Sequence, residues 1–563
     1  MSRDVEFEAF ALGLAPATLK EQRILARSLA KLVKLQGASI TFLQGTRNVR
    51  RAPRNILITP KANVRLTSSV AWECARQLER STGVRYAEPL FRTPGLEPDP
   101  RRLDQLLAPH ERRLSRKSVS NDQPLPCAAS NTTWSMELVR APLAWAVAPP
   151  SDGERYGAGI VVGHPDTGYR PHEEIWSTDP KTRRVLPGYG HDFVDNDPEP
   201  LDPLIGRNPG HGTATASVIM SGFPDPKPRH VVGTAPLAEL IPLRVSGSVV
   251  HFSFKHLTEA LYFAADRTDA MVISMSLGGP FYSRALEEAV NHALARGLIL
   301  LAAAGNVWPS VVYPARLDQV IAVAACNCAS KPWRNSAHGE TVDLSAPGES
   351  VWRANTTQKN GTVNFSVDPS SGTSYAVATT AGACAVWLAF HGRASLVVRY
   401  GADRLAGVFR TLLTTQGVSR PSGWNTKQYG SGILDMPRLL SAPLPPAAKL
   451  RKSALFPKRT RDETTLDRIA AYFPELTRTQ VRRVFAQFFA PAVKGKARGK
   501  AVEILGPELV FHIATNAKLR ARFHAQALIP KHKAKTRYAS PFSVIAGSAS
   551  PTLRRALRTY GPS

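Results

Sequence analysis

The chain has 563 residues, 43% of them apolar, and a formal net charge of +28 at pH 7. This length exceeds the usual size of a single domain, and the apolar content is sufficient for a sizeable core. The charge is uneven, because residues 131–446 hold 26 basic and 26 acidic side chains, whereas residues 1–130 hold 22 against 12 and residues 447–563 hold 24 against 6. The basic character therefore belongs to two flanks of a neutral central region.

The first 95 residues predict a small α+β domain. Alternating apolar residues predict strands in VEFEAFALG, SITFLQ, NILITP and VRYAEPLF, and helical spacing predicts helices in PATLKEQRILARSLAKLVKL and SSVAWECARQLERS. The resulting order, βαββαβ, is that of a ferredoxin-like split βαβ fold. Residues 96–130 are rich in Pro, Arg and Ser and include the pairs Arg101-Arg102 and Arg112-Arg113, which predicts a linker.

Three short motifs follow one another in the central region. They are PDTG with Asp166, GHGT with His211 and GTSYA with Ser374. A serine hydroxyl is a poor nucleophile at neutral pH, so a histidine must accept its proton and a carboxylate must orient that histidine. The order Asp, His, Ser is the one that a class of serine hydrolases uses, and it predicts an Asp166–His211–Ser374 triad.

A fourth motif is the apolar run LILLAAAGN, which ends at Asn306. It predicts a buried strand that carries Asn306 to the carboxyl edge of a parallel sheet, where α/β proteins place their sites. There the side-chain amide of Asn306 and the backbone N–H of Ser374 would donate to a developing oxyanion.

From Trp134 to Leu440 the chain resembles the subtilisin-like serine proteases, or subtilases. The resemblance rests on segments in family order, including WSMELVRAPLAW, GHGTATASVIMSG, VISMSLGG, LAAAGN, VDLSAPG, GTSYAVATTAG and GSGILDMPRLL. It implies a three-layer α/β domain with a mainly parallel sheet over residues 131–446, and a serine endopeptidase that hydrolyses protein or peptide substrates through an acyl-enzyme.

The resemblance also implies roles for other segments. The strand Ser276-Leu277-Gly278-Gly279 is similar to the family's substrate-binding edge, which pairs with an extended peptide. The N-terminal domain resembles subtilase propeptides, which implies a folding assistant and an intramolecular inhibitor, so the protein would be made as a zymogen. Cleavage in the linker would release that inhibitor.

Specificity can be predicted at one position. In the family's pattern, the residue before Tyr313-Pro314 lies at the floor of the pocket for the substrate residue that precedes the cut, and here it is Val312. An isopropyl group there favours small or medium apolar substrate residues. The acidic loop DFVDNDPEPLD, residues 192–202, offers a structural calcium site or attraction for basic substrates, or it is simply solvated. The triad chemistry itself requires no cofactor.

Two residues before Asp166 depart from the family pattern, which usually has apolar residues there. Pro165 cannot donate a ladder hydrogen bond, which predicts disturbed strand pairing beside the acid. We expect His164 to be a packing or solvent-facing residue rather than a catalytic one.

The C-terminal flank, residues 447–563, predicts a small basic helical domain. DETTLDRIAAYF and LTRTQVRRVFAQFF indicate two helices, with Thr477 and Gln480 as a capping box, and GPELVFHIATNAKLRARFHAQAL indicates one further helix. Its basic runs, KGKARGK and KHKAKTR, suit contacts to nucleic acid or an acidic partner, or form a solvated tail.

The compartment is predicted from features that the sequence lacks. No standard secretory signal begins the chain, no span approaches the roughly 18 apolar residues of a membrane helix, and five cysteines suggest no disulfide framework. Cys326 and Cys328 are expected to be packed thiols on one face of a strand. These observations favour the cytoplasm, with export by a non-standard route left open.

Two alternatives to a protease follow from the same residues. The scaffold would serve as a peptide-binding or regulatory platform whose basic flanks select the partner, but the four residue types needed for catalysis favour the enzyme. An unrelated ester or amide hydrolase is disfavoured because no G-x-S-x-G motif surrounds Ser374.

Overall fold

The structure is a computed structural model. It describes residues 6–35, 37–43, 52–92, 126–129, 131–179, 182–206, 208–222, 231–251, 253–306, 308, 310–447, 465–473, 475–488, 496–529 and 540–558. We refer to residues 6–92 as the N-terminal region, 126–447 as the central region and 465–558 as the C-terminal region. Most of the predicted linker, with both of its dibasic pairs, lies outside the described residues.

The N-terminal region is an antiparallel sheet with two helices. Its elements are β1 (Glu6–Ala17), α1 (Leu19–Leu32), β2 (Ser39–Phe42), β3 (Ala52–Thr59), α2 (Ser68–Glu79) and β4 (Val84–Arg92). The strands pair in the order β2-β3-β1-β4, and every pairing is antiparallel. Thr18 and Glu21 form a capping box at the start of α1, which fixes the turn out of β1.

A nine-stranded sheet organises the central region, with the strand order β14-β15-β11-β10-β9-β8-β5-β7-β6. All of its pairings are parallel except the one between β14 and β15. The strands are β5 (Val161–Asp166), β6 (His191–Asp192), β7 (Glu239–Arg244), β8 (Val272–Met275), β9 (Ile299–Ala303), β10 (Ile321–Cys326), β11 (Leu344–Pro347), β14 (Val418–Ser419) and β15 (Ile433–Leu434), and a separate hairpin joins β12 (Val351–Lys359) to β13 (Thr362–Ser370).

Helices cover both faces of this sheet. They are α3 (Pro126–Ala129), α4 (Trp134–Leu138), α5 (Ala141–Ala146), α6 (His211–Met220), α7 (Lys255–Arg267), α8 (Arg284–Ala295), α9 (Thr373–Phe390), α10 (Arg393–Tyr400), α11 (Ala402–Thr415), α12 (Thr426–Tyr429) and α13 (Met436–Ser441), with a 3₁₀ turn at Pro187–Tyr189. Every residue of β5, β8, β9 and β10 is buried, and β8, β9 and β10 are accordingly mainly apolar runs rather than alternating ones.

Helix α9 is the central core helix. In the part of the chain that the structure describes, it alone is long and apolar enough to cross a membrane, by length and composition only. The prediction that no span approaches this limit is therefore wrong. All 18 residues are buried inside the fold, so the apolar composition is explained by packing against the sheet.

Strand pairing beside the acid is intact, contrary to the expectation raised by Pro165. Strand β5 pairs in register with β7 as far as Asp166, opposite Arg244. Pro165 lies opposite Leu243 within this pairing, while the pairing of β5 with β8 ends at Gly163, before the proline.

A disulfide joins Cys127 in α3 to Cys328, with the two Cα atoms 6.1 Å apart. The expectation that Cys328 is a packed thiol on the strand of Cys326 is wrong, because β10 ends at Cys326 and Cys328 lies in the turn that follows. Among the described residues, Cys74, Cys326 and Cys384 are free thiols.

The C-terminal region is helical, with α14 (Thr465–Ala470), α15 (Arg478–Phe488), α16 (Lys496–Thr515), α17 (Ala517–Leu528), α18 (Pro551–Arg558) and a 3₁₀ turn at Pro541–Ile545. The predicted capping box is present, since Gln480 N–H donates to Thr477 Oγ1 at 3.2 Å and Thr477 N–H to Gln480 Oε1 at 2.8 Å. The single helix predicted over residues 506–528 is two helices, because Asn516 caps α17 by accepting from Leu519 N–H.

One apolar cluster unites the N-terminal and C-terminal regions. It joins Trp72 and Phe91 to Phe511, and it includes Phe281 and Val312 at the edge of the central region. The central region has its own larger core. The two flanks therefore share their hydrophobic burial instead of forming separate cores.

Candidate active site

Asp166 is the last residue of β5 and is buried. Its Oδ1 accepts from Thr167 N–H at 2.7 Å and lies 2.8 Å from His211 Nδ1. Burial by itself raises the pKa of Asp166, but the charge and hydrogen bond of His211 outweigh it and hold that pKa below the usual 3.8. The carboxylate is therefore ionised at neutral pH and fixed against the imidazole.

His211 is the first residue of α6, and glycine makes its approach to Asp166 possible. A Cβ on Gly212 would lie 1.9 Å from the carbonyl oxygen of Gly168, in the turn after β5. Only glycine allows α6 and this turn to come so close. The glycine after His211 in the GHG motif and the glycine of the PDTG motif therefore pack directly against each other.

Ser374 is the second residue of α9 and is buried beside the end of β8. Its Oγ donates to the carbonyl of Ser276 at 3.2 Å, and Ser276 Oγ donates to the carbonyl of Ser374 at 3.0 Å. Within the described residues no hydrogen bond joins Ser374 to His211. The serine hydroxyl is instead directed towards the predicted substrate-binding strand.

Asn306 follows β9 by three residues, and the start of α9 orients its amide. Its Oδ1 accepts from Thr373 N–H at 2.9 Å and from Thr373 Oγ1 at 2.8 Å. Its Nδ2 lies on the other side, 3.5 Å from the point where a Cβ on Gly372 would stand. The amide donor is thereby presented beside Ser374. Thr373 was not anticipated as the residue that orients it.

The predicted substrate-binding strand, Ser276 to Gly279, continues from β8 and is already paired on both sides. Gly278 N–H donates to Val249 O at 3.0 Å, and Gly278 O accepts from His251 N–H at 2.8 Å. Gly279 and Tyr313 exchange two hydrogen bonds of 2.9 Å. An extended peptide can add at Gly278 only after the segment 249–251 moves away.

Val312 lies between Gly278 and Gly305. A Cβ on Gly278 would lie 2.6 Å from Val312 Cγ2, and one on Gly305 would lie 3.1 Å from Val312 Cγ1. The buried isopropyl group therefore fills the space between the substrate-binding strand and the loop of Asn306. Leu277, within that strand, is also buried.

The acidic loop before His211 has protein partners. Asp192 and Asp195 both bind Arg244. Asp202 accepts from Thr167 Oγ1 at 2.6 Å and from Gly210 N–H at 2.8 Å. Asp202 thereby links the residue after Asp166 to the residue before His211. No group of three or more His, Cys, Asp or Glu side chains in the described ranges could hold a metal ion.

Two side chains near Asp166 were not assigned a role from the sequence. His164 is buried, with Nε2 3.0 Å from Thr215 Oγ1 and 3.9 Å from Asp166 Oδ2. Thr215 Oγ1 lies 3.3 Å from the same Oδ2. The expectation of a packing residue is right about burial, but His164 is also connected to the acid.

Comparison with known proteins identifies the family of the chain. The profile of the subtilase family matches residues 157–426. Thermitase of Thermoactinomyces vulgaris is 29% identical over 301 residues, covering 53% of this chain and 97% of thermitase. Subtilisin Savinase of Lederbergia lenta is 30% identical over 259 residues, covering 46% of this chain and 84% of that enzyme.

The fold of this chain is also similar to that of a solved structure. Fervidolysin of Fervidobacterium pennivorans, described as a keratinolytic enzyme related to subtilisin, aligns with a TM-score of 0.52 and 19% identity, covering 78% of this chain and 62% of fervidolysin. The protein belongs to the subtilase family. It is a subtilisin-like serine endopeptidase, a hydrolase of peptide bonds.

Proposed function

We propose that Ser374 is the nucleophile, His211 the general base and Asp166 the orienting acid of this endopeptidase. The observation that carries the proposal is the 2.8 Å contact between Asp166 Oδ1 and His211 Nδ1. It fixes the tautomer in which Nδ1 holds a proton and Nε2 can accept one. Ser374 Oγ then attacks the substrate carbonyl, and His211 passes the proton to the leaving amine. Water hydrolyses the acyl-enzyme by the reverse transfers.

Asn306 Nδ2 and the backbone N–H of Ser374 would stabilise the oxyanion of each tetrahedral intermediate. Support comes from the two hydrogen bonds that hold Asn306 Oδ1 against Thr373, because they leave the donor end of the amide facing the site. Loss of one such donor in subtilisin costs about 10²- to 10³-fold in turnover. The chemistry needs no cofactor.

The enzyme is made as a self-inhibited zymogen, and the N-terminal region is its intramolecular inhibitor. Glu88 of β4 accepts from Ser283 Oγ at 2.6 Å, Ala285 N–H at 2.9 Å and Arg284 N–H at 3.0 Å, at the start of α8. A carboxylate at a helix N-terminus is favourable. Arg85 also pairs with Glu288 of the same helix at 3.1 Å.

The conformation of the cleft supports latency. Ser374 Oγ bonds Ser276 rather than His211, and Gly278 is paired with the segment 249–251. Activation would rotate the hydroxyl and open this pairing so that a substrate strand can add. Val312 would then limit the pocket to small or medium apolar residues.

The C-terminal region strengthens the same inhibited state. Tyr472 OH donates to the carbonyl of Pro280, just after the substrate-binding strand, and Arg468 stacks on the ring of Tyr282 at 3.5 Å. No observation favours a peptide-binding platform without catalysis. Nor does one favour nucleic acid as partner, since the run KHKAKTR lies outside the described residues.

The disulfide supports an oxidising compartment, as an alternative to the cytoplasm that the sequence favours. Disulfides persist in oxidising environments and are rare in the cytosol. The Cys127–Cys328 bridge therefore favours an enzyme that works where it stays oxidised. Alkylation and mass measurement of the protein from its native cells test this, and two free thiols at these positions would contradict it.

The decisive experiment compares the intact mass of the purified chain with that of Ser374→Ala, each after treatment with an active-site-directed fluorophosphonate. A wild-type chain that shortens by roughly ten kilodaltons from its N-terminus and takes one label, beside an intact and unlabelled variant, supports both triad and zymogen. Labelling without shortening would retain the triad and remove the self-processing. Neither label nor cleavage, with calcium present, would count against an active enzyme and favour a latent zymogen or a binding platform.

A further inference from the structure

His164 and Thr215 lie on the side of Asp166 that faces away from His211. His164 stands two residues before Asp166 in β5, so both side chains project from the same face of the sheet. Thr215 is one turn into α6 from His211. Oδ1 of Asp166 is used by His211 and Thr167 N–H, whereas Oδ2 is the atom near Thr215 and His164.

The protons can be assigned from the partners of Thr215. Its Oγ1 lies 3.1 Å from His211 O, 3.3 Å from Gly212 O and 3.3 Å from Asp166 Oδ2, all of which only accept. A hydroxyl carries one proton but can also accept. Of these four neighbours, His164 Nε2 at 3.0 Å is the one that can donate to Thr215, in the tautomer that carries its proton on Nε2. In that tautomer the hydroxyl proton is left for the three acceptors, of which Asp166 Oδ2 is one.

His164 acts here as a neutral ring. Burial lowers the pKa of His164, and the nearby charge of Asp166 opposes this only in part. The other titratable groups around the acid are His211, Asp202 behind Thr167, His251, and Arg244 opposite Asp166 on β7. Arg244 is engaged by Asp192 and Asp195, so no cation on these elements replaces the hydrogen bond from Thr215.

We propose that His164 and Thr215 are positioning residues that form a second hydrogen-bonded arm on the carboxylate of Asp166, opposite His211. The inference rests on the proposed triad and adds two members that do not touch substrate. The arm holds the carboxylate in the rotation that presents Oδ1 to His211. By donating to Oδ2 it also draws negative charge away from the atom that binds the imidazole.

Loss of the arm has a signature that a packing defect lacks. Without the donor at Oδ2, Asp166 attracts the proton on His211 more strongly, so the free base forms only at higher pH. The acid limb of kcat/KM moves to higher pH, and kcat falls while KM changes little, because substrate contacts are untouched.

The experiment expresses the full chain and uses the enzyme after its own processing, with kcat expressed per Ser374 labelled by the fluorophosphonate. Thr215→Val removes the hydroxyl at constant shape and is expected to lower kcat by roughly 10-fold. Thr215→Ser keeps the hydroxyl and should retain most of the activity. His164→Leu should lower kcat and shift the acid limb in the same direction, and His164→Gln should recover part of both effects by restoring a donor. The double variant should cost little more than Thr215→Val alone.

The outcomes separate this proposal from the triad. If Thr215→Val and His164→Leu leave both kcat and the acid limb unchanged while wild-type Ser374 is labelled, the arm is overturned and the triad stands. A wild-type enzyme that takes no label, or an active Ser374→Ala variant, overturns the triad first. If His164→Leu does not fold, the comparison of Thr215→Val with Thr215→Ser still tests whether the arm contributes to catalysis.

Discussion

At the scale of single residues, Val312 is the position from which the proposed substrate specificity can be argued most directly. Its two methyl groups lie where side chains on Gly278 or Gly305 would otherwise stand, so the glycines leave room that Val312 occupies. A pocket that loses room for a few methylenes loses roughly 1 to 3 kcal/mol of transition-state binding for large side chains. If Val312 forms the floor of that pocket, as proposed, we expect it to penalise bulky residues before the cut.

Val312→Gly is expected to reverse this preference. The ratio of kcat/KM for peptides with Phe before the cut to that for peptides with Ala should rise by roughly 10-fold or more, because the floor of the pocket deepens. Steady-state kinetics on matched peptides measures this ratio. Val311→Ala, a change at a buried neighbour in the core of the central region, is the control. An unchanged ratio in Val312→Gly would mean that the pocket floor lies elsewhere.

The candidate catalytic residues could be selected from the sequence because each stands within two residues of a glycine in a short motif. Asp166 ends a buried strand, Asn306 follows one, and His211 and Ser374 lie in the first turn of helices that are almost entirely buried. The arm of Thr215 could not be predicted, because it depends on how α6 is rotated against β5. The Cys127–Cys328 pair, 201 residues apart, likewise depends on a Cα separation that only the fold sets.

At the scale of elements, the active site depends on the packing of α6 against the turn after β5. We expect Gly212→Ala to separate His211 from Asp166, because the added Cβ would overlap the Gly168 carbonyl at 1.9 Å. Overpacking of this kind costs about 1 to 3 kcal/mol of stability. Activity should fall further, since a displacement of about 1 Å can cost 10²-fold.

Gly188→Ala is the matched control for this prediction. A Cβ there meets nothing within 4 Å, so the substitution should leave stability and activity almost unchanged. Thermal unfolding of both variants and fluorophosphonate labelling rates give the two readouts. Equal labelling rates in Gly212→Ala and Gly188→Ala would contradict the argument that this glycine sets the distance within the triad.

Elements outside the site were predictable to a different degree. The capping box of Thr477 and Gln480 is made by hydrogen bonds between residues three apart in the chain. It could therefore be predicted from the sequence alone. The break at Asn516 was missed because apolar residues continue on both sides of it. Helix α9 has the length and apolar composition of a membrane helix because core helices and membrane helices are equally apolar. Only the burial of α9 within the fold distinguishes the two cases.

At the scale of the whole molecule, a buried ion pair joins the two ends of the chain. Arg76 Nη1 of α2 lies 2.8 Å from Glu508 Oε2 of α16, with both side chains almost fully buried. Ser550 N–H and Oγ also donate to Glu508, at 2.6 and 2.8 Å. The N-terminal region cannot leave the central region without breaking this contact or taking the C-terminal region with it.

The pair also makes the contact sensitive to acid. Burial raises the pKa of Glu508, but hydrogen bonds and the charges of His512 and Arg76 outweigh it, so the net pKa lies below the usual 4.5. A carboxylate with a depressed pKa stabilises the folded state above its unfolded value. That stability is lost as the pH falls from about 4.5 through the lower folded pKa.

Glu508→Gln, made in the Ser374→Ala chain so that no processing intervenes, tests this contact. The variant leaves Arg76 only the more exposed Glu73, 3.1 Å from its Nη2, as a counter-charge, which should lower the free energy of unfolding of the joined flanks by at most about 3 kcal/mol at pH 7. It should also remove part of the loss of stability between pH 5 and pH 3. Glu6→Gln, which breaks the exposed pair with Arg92, should cost at most about 1 kcal/mol and keep the acid dependence. Urea unfolding of the Ser374→Ala chain and of its Glu508→Gln and Glu6→Gln variants, each at pH 7, pH 5 and pH 3, measures these differences. If the two variants behave alike, the buried pair does not hold the ends together, and the apolar cluster around Phe511 alone must do so.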